Sequence, residues 1–518
     1  MSTQDKPLLC YLGHAGFALM TRRTCLLMDP WLSGTGAFLH TWFPFPDNTG
    51  IAAQLIPYIG NRRLYVYVSH AHEDHCDPGF LRQLDGLDPV YVLPRFDDDS
   101  LRRVLRFRKG KRVYLADSER FELDPEFSVT IFIEESGINT DSAILAECNG
   151  RTLLNINDCK IYDRVPEILP GPIDTLTGQF SGATWHPLCY TYDQEAYRRI
   201  SHRRKNAKFY QVYKTIRHID PEVFVPSAGP PVFLHPALFE RNFDPVSIFA
   251  PLEDFTEFLR RRTLRCAFRA LNPGEGFYLG TSEVQCVLPN NPAPDLESYR
   301  LSKQFLYCGR TQADPASLLS ALFREVSEKL ERFETHLKTR FPILIGVMGA
   351  EQKILVDLNR RHCALVHDYP EIPPIYSLMA APEAAAALVA HELEWENFCL
   401  TFLLRIRREP DEYCPLVNLF FFCTPGNIGA ALRRLEQYRN SKARIEIATP
   451  EGRYSCRRFC PHQGADLTHG YAQGGFWVCP RHRWRFDLNR QGISEDGSCS
   501  IDAAPLSVPA CQMMPVRA

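Results

Sequence analysis

The chain has 518 residues, 45% of them apolar and 23% charged, with a formal net charge of −2. That length is too great for one ordinary core and predicts two or three soluble globular domains. The near-zero charge excludes bulk attraction to nucleic acid or an anionic membrane, and the longest apolar run, near PLVNLFFFC (415–423), is far too short to span a bilayer.

The opening MSTQDKPLLCYLG has no basic stretch ahead of an apolar one, so no signal peptide is expected. Eighteen cysteines lie scattered without the regular spacing of a secreted framework, which predicts reduced thiols and a cytoplasmic setting. The basic runs RFRKGKR (106–112), RRISHRRKNAK (198–208) and RRRTLRCAFR (260–269) read foremost as solvated faces or loops. The other reading is a phosphate site or a dock for an acidic redox partner.

In chain order, FALMTRRTCLLMDPWL (17–32) predicts a hairpin ending in a turn and LYVYVSH (64–70) a buried strand. PGFLRQL (78–84) starts a helix, with Pro78 in the first turn where a missing N–H costs nothing. VYVLP, SVTIFIEE and RTLLNIND follow as further strands, so residues 1–245 predict an α/β layered domain. Residues 246–425 carry two strong helical patterns, 314–341 and 383–410, and predict a helix-rich middle domain. Residues 426–518 turn to short strands broken by Gly and Pro, a small all-β module.

Two stretches carry metal chemistry. SHAHEDHC (69–76) packs His70, His72, Asp74 and His75 into one strand end. Alternate residues of an extended segment point the same way, so His70 and His72 can share a metal while Asp74 and His75 turn toward a second. Imidazole and carboxylate suit zinc and iron alike. Near the C-terminus, CPHQGADL supplies Cys460 and His462, and CPRHRWRFDL supplies Cys479 and His482, with sixteen residues between His462 and Cys479. Two loops that each deliver one thiolate and one imidazole allow a Cys2His2 zinc site or an iron–sulfur cluster.

The first stretch resembles the metallo-β-lactamase superfamily, an αββα sandwich with metals at the sheet edges. LGHAGF (12–17), MDPWLSG (28–34), LLNINDC (153–159) and PSAGPPVFLHP (226–236) match its other motifs in order. The resemblance implies Asp158 as a bridging carboxylate and His235 as the late histidine of the second metal. It also implies Asp29 and His14 as braces behind the ligands. His186 is expected either to face substrate or to sit as a satisfied core histidine. A histidine usual before a segment like NTDSAIL (139–145) is missing, and Glu134 or Glu135 is the expected replacement. A carboxylate there shifts the balance from zinc toward iron. Asp74, His235 and Glu135 are the expected catalytic groups.

The second stretch resembles the Rieske [2Fe–2S] domain of the oxygenase type, in which cysteines hold one iron and histidines the other. A hydrolase has no use for an electron relay, so the pair of sites points to redox chemistry. The combination resembles the CMP-N-acetylneuraminate hydroxylases, although the Rieske domain comes first there and last here. That resemblance implies a monooxygenase with a [2Fe–2S] cluster, two non-haem irons and O2, acting on a small metabolite or a sugar nucleotide. A ferredoxin, a cytochrome b5-type protein or a flavin reductase is the expected electron donor, reaching the cluster at an exposed His462/His482 edge. No nucleic acid or membrane partner is expected, and self-association is left open. The rival readings are a zinc hydrolase with a regulatory Rieske domain and a non-catalytic redox carrier or sensor.

Overall fold

A computed structural model describes residues 6–135, 140–169, 171–308, 313–367, 369–370 and 372–506. Its first unit is built on two sheets. The eight-stranded one contains Leu8–Gly13, Gly16–Met20, Thr24–Met28, Arg63–Tyr67, Val90–Pro94 and Lys111–Leu115, and the seven-stranded one contains Glu119–Asp124, Phe127–Glu134, Asp141–Cys148, Arg151–Asn155, Thr175–Gln179 and Val223–Ser227.

The period of two along a strand sorts these residues between layers. Val129, Ile131 and Ile133 enter the core between the sheets with Leu27, Val66 and Val92. Phe132, Ala143, Leu145 and Leu154 face the other way, into a cluster with Phe209, Val212 and Ile216 of the helix Gln194–Ile219. Strands buried on both faces carry continuous apolar runs, which is why LYVYV reads as it does. The result is the αββα sandwich that the resemblance implies.

Two expectations change. The first unit does not stop at 245: Ala267–Phe268 joins the seven-stranded sheet, and Glu275–Tyr278 pairs with Leu8–Gly13 at the edge of the eight-stranded one. The middle unit is not simply helix-rich. Its centre is a five-stranded sheet in the order His362–Val366, Lys353–Asp357, Ile343–Val347, Ile375–Ala380, Leu404–Glu409. Residues 383–410 thus hold a strand, because LLRIRRE pairs antiparallel to Ile375–Ala380 and tertiary pairing outweighs helical periodicity. Helices Pro315–Glu331, Pro415–Phe422 and Ile428–Asn440 cover the sheet in one core that also takes in Trp31, Trp42, Tyr190 and Phe233 of the sandwich. A shared core, not a linker, joins the two units.

One buried charge in that core is testable. Lys329 is fully buried with Nζ 3.6 Å from the Trp395 ring centroid, and burial pushes its pKa down to about 7. The unfolded chain holds that proton up to about pH 10.5 and the folded chain only below about pH 7. The unfolded state therefore binds more protons between these values, and stability climbs as pH rises through the window. Lys329→Met is expected to stabilise the protein by on the order of 2–4 kcal/mol at pH 7. Urea unfolding at pH 7 and pH 10 checks this, since the variant loses that share of the pH slope.

The last unit comprises two small sheets. One has the strands Arg444–Thr449, Gly452–Arg457 and Ala504–Pro505, and the other Tyr471–Gln473, Phe476–Val478, Arg485–Asp487 and Ile493–Ser494. Residues 428–440, assigned from the sequence to the start of this all-β unit, instead form the helix Ile428–Asn440, which packs mainly in the middle core. No described helix is long and apolar enough to cross a membrane.

Candidate metal centres

Strands Leu8–Gly13, Thr24–Met28 and Arg63–Tyr67 run the same way in one sheet, as do Arg151–Asn155 and Val223–Ser227 in the other. Just past their C-terminal ends lie His14, Asp29, His70, Asn157 and Ala228. His14, Asp29, Asn157 and Ala228 take positive φ of 51°, 44°, 50° and 49°. A non-glycine residue there costs about 1–3 kcal/mol, and four of them gathered where strand ends of the two sheets meet mark a site whose geometry matters more than its comfort.

The 69–76 loop is held from both ends. Asp77 caps the following helix through the N–H groups of Gly79 and Phe80 and accepts from Leu32 and Ser33. Asp29 accepts from Ser69 N at 2.7 Å, Ser69 Oγ at 2.6 Å, Asn157 Nδ2 at 2.7 Å and His75 Nδ1 at 2.8 Å. It braces the centre from behind.

Two groups of ligand atoms result. His70, His75 and Asp158 form one, and His14, Asp74 and His75 the other. His70 Nε2 lies 2.8 Å from His72 Nδ1, and His75 Nε2 lies 3.6 Å from Asp158 Oδ1 and 3.8 Å from Asp74 Oδ2. His14 Nε2 meets Asp74 Oδ2 at 3.1 Å, and His70 Nδ1 meets Asp141 Oδ1 at 3.2 Å. Asp74 Oδ1, Asp158 Oδ1 and His75 Nε2 are buried without a hydrogen-bond partner. Buried polar atoms are normally paired, so the unpartnered His75 Nε2 and Asp158 Oδ1, 3.6 Å apart, fit a bound cation.

The electrostatics agree. Burial opposes charge on His75, yet Asp74, Asp158 and Asp29 outweigh it and raise its pKa to about 10. Burial also opposes the Asp74 carboxylate, but His75 and His14 hold it well below the usual range. His72, pushed down to about 3 by burial and then by His70, stays neutral and keeps its lone pair. The cage demands a positive charge, which a metal supplies in place of a proton.

Two of the expected ligand positions lie elsewhere. Val232–Phe233 pairs with Trp42–Phe43 and carries His235 toward the middle unit, where its Nε2 faces Glu383 at 3.4 Å and its Nδ1 accepts from Ala237 N. His14, expected as a brace, stands in the ligand group instead. Glu134 is drawn to Arg481 at 2.7 Å, and Glu135 accepts from Asp97 N at 2.8 Å. The carboxylate beside His70 comes from Asp141, the register partner of Glu134. Asp141 lies inside the NTDSAIL segment, so the signal was present in the motif itself. His186 sits against Tyr192 and Arg204, its charge suppressed by burial and then by Arg204 and Arg408.

The second centre lies in the last unit. Cys460 and Cys479 are buried side by side. Burial disfavours the Cys479 thiolate, but Cys460, the N–H groups of His482 and Arg481 and the Arg481 charge bring its pKa below the ordinary value. The His462 and His482 rings stand 4.8 Å apart, and the Nδ1 atom of each is buried without a partner. Two thiols and two unpartnered imidazole nitrogens fit a [2Fe–2S] cluster with mixed ligands. The edge is not open as expected, for His462 is 8% exposed and packs against Tyr413 and the stacked ring of Trp484.

Comparison with known proteins agrees on this unit: residues 442–501 match the Rieske [2Fe-2S] domain. A Mycobacterium tuberculosis protein described as a Rieske 2Fe-2S iron-sulfur protein is 26% identical, covering 94% of this chain and 96% of its own length. The cytidine monophosphate-N-acetylneuraminic acid hydroxylase of Cricetulus griseus is 24% identical over 78% of this chain and 73% of its own. Among solved structures, CmlA, a diiron beta-hydroxylase from Streptomyces venezuelae, aligns with 53% of this chain and 54% of its own at 16% identity and a TM-score of 0.34. The chain thus carries a Rieske [2Fe-2S] domain C-terminal to an αββα sandwich and is similar in sequence to the CMP-N-acetylneuraminate hydroxylases.

Proposed function

We propose that the protein is an O2-dependent monooxygenase that hydroxylates a carbon or oxygenates a nitrogen of a small anionic metabolite or sugar nucleotide. Cys460, His462, Cys479 and His482 hold a Rieske cluster. His70, His72, His75, Asp158, Asp74 and His14 hold two non-haem irons, with Asp141 orienting His70. When bound, these groups supply one-electron relay and O2 activation. The observation that carries the reading is a carboxylate-rich histidine cage and a Rieske ligand set buried on one chain. Oxygen donors favour iron over zinc, and a hydrolase would leave the cluster without work.

The chain's own groups supply orientation and dryness. His14, His70, Asp74 and His75 are closed off, while the Asp158 side chain is 19% exposed, so the cage opens on that side. Lys208 lies within electrostatic reach of Asp158 and Lys160, and Lys160 and Arg204 lie within electrostatic reach of the Rieske histidines. Lys208 is oriented by Gln179 Oε1 at 2.6 Å. Burial lowers the Lys208 pKa to about 7, so a phosphate or carboxylate on the substrate would be met by a lysine whose charge that anion itself favours. Behind His70 and His72 lies a cavity of about 30 Å³ bordered by Ser100, Thr140 and Phe422. It has room for a water.

Metal content tests the reading. Protein purified without added metal or chelator is expected to carry about four irons per chain and negligible zinc. It is also expected to consume O2 with a reductase only in proportion to oxygenated product. About two irons with one or two zincs, and turnover without reductant, would replace it with the zinc-hydrolase reading.

A further inference from the structure

Between two cluster ligands, Cys479 and His482, stands Arg481, and its side chain crosses into the sandwich. Nη1 donates to Glu134 Oε1 at 2.7 Å, and Nη2 donates to Asp163 Oδ1 and Oδ2 at 3.2 and 2.9 Å. The Arg481, Glu134 and Asp163 side chains are 6%, 9% and 2% exposed. One cation shared by two carboxylates in so dry a place is held by strong, directional hydrogen bonds.

The far side of this contact leads to the metal cage. Glu134 ends its strand opposite Asp141, and Asp141 meets His70 Nδ1 at 3.2 Å. The near side is the backbone whose Arg481 and His482 N–H groups point at the Cys479 sulfur. Arg483 in the same loop adds a second anchor, lying over the Tyr210 ring at 4.7 Å and donating to Ala207 O. The whole contact lies within one polypeptide.

We propose that Arg481, with Glu134 and Asp163, is a positioning latch that docks the Rieske loop on the metal-bearing sheet of its own chain, so that the two centres form an intrachain pair. The latch rests on the assignment of the two centres in the proposed function but not on the oxygen chemistry. The sequence offers Glu134 or Glu135 to the metal; the place of Glu134 is one residue pair removed from it.

The test uses the full chain with the cluster reduced by dithionite and the first centre loaded anaerobically with Mn(II) alone. A nearby paramagnetic ion shortens the relaxation time of the cluster's EPR signal. In the wild type the enhancement is expected to be strong and unchanged on tenfold dilution. Glu134→Gln and Arg481→Met are expected to reduce it several-fold at unchanged cluster and Mn(II) content, and Arg481→Lys to restore part of it. Glu134→Gln lies outside the cluster loop, so it reads the latch even if Arg481→Met disturbs cluster assembly. Enhancement that falls on dilution, or that survives Glu134→Gln and Arg481→Met alike, would overturn the proposal. Because Mn(II) is the probe, a native zinc content would overturn the oxygenase reading and leave this result standing.

Discussion

His75→Ala is expected to strip the first centre of its metal and bring turnover to background, while the absorption and EPR spectra of the Rieske cluster persist. His75 belongs to both ligand groups, with Nε2 3.6 Å from Asp158 and 3.8 Å from Asp74. Its loss removes the imidazole that both buried carboxylates approach, leaving Asp158 without that partner and Asp74 with His14 alone, a loss that a buried site meets by protonation. Metal analysis is expected to fall from about four irons to about two per chain. His14→Ala should weaken the same centre, whereas His235→Ala should leave iron content near the wild-type value because that ring faces Glu383. Iron lost with His235→Ala and kept with His14→Ala would reverse the assignment of the second metal's histidine.

The second large effect belongs to Asp29. Its carboxylate accepts four hydrogen bonds, from Ser69 N, Ser69 Oγ, Asn157 Nδ2 and His75 Nδ1, and it is fully buried. Asp29→Ala leaves those donors unpaired, each at a cost of about 1–3 kcal/mol before relaxation. A net loss of about 3–5 kcal/mol in unfolding free energy is therefore expected. Because Asp29 sets the orientation of His75, iron affinity should also fall roughly 10–100-fold. Asp29→Asn keeps the shape and removes the charge. It should recover much of the stability but less of the affinity, and chemical denaturation together with competitive chelation separates the two. Equal recovery of both would mean that Asp29 only fills space.

Much of the layered architecture was legible because strand and helix periodicities are local. LYVYV and SVTIFIEE declare their burial in their own composition, and both become strands of the sandwich. The middle unit was less legible. LLRIRRE follows a helical stretch and carries no alternation strong enough to compete with it, yet it finds an edge beside Ile375–Ala380 and pairs there. The limit at 245 failed for the same reason, since Glu275–Tyr278 belongs to the sandwich only through its pairing with the chain's first strand.

The sequence by itself determined which ligand-capable residue types the two candidate centres bring together. His70, His72, Asp74 and His75 lie within six residues, and each Rieske loop brings its cysteine and histidine within four, so the backbone between them can hold them together whatever surrounds it. Only the tertiary structure decided which distant side chains complete the cage. His14 or His235, and Asp141 or Glu134, were equally available as residue types. The choice fell to where strand ends of the two sheets meet, to the ribbon that carries His235 toward Glu383, and to the pull of Arg481 on Glu134. A ligand or a latch needs one atom in one place, and long-range packing sets that place.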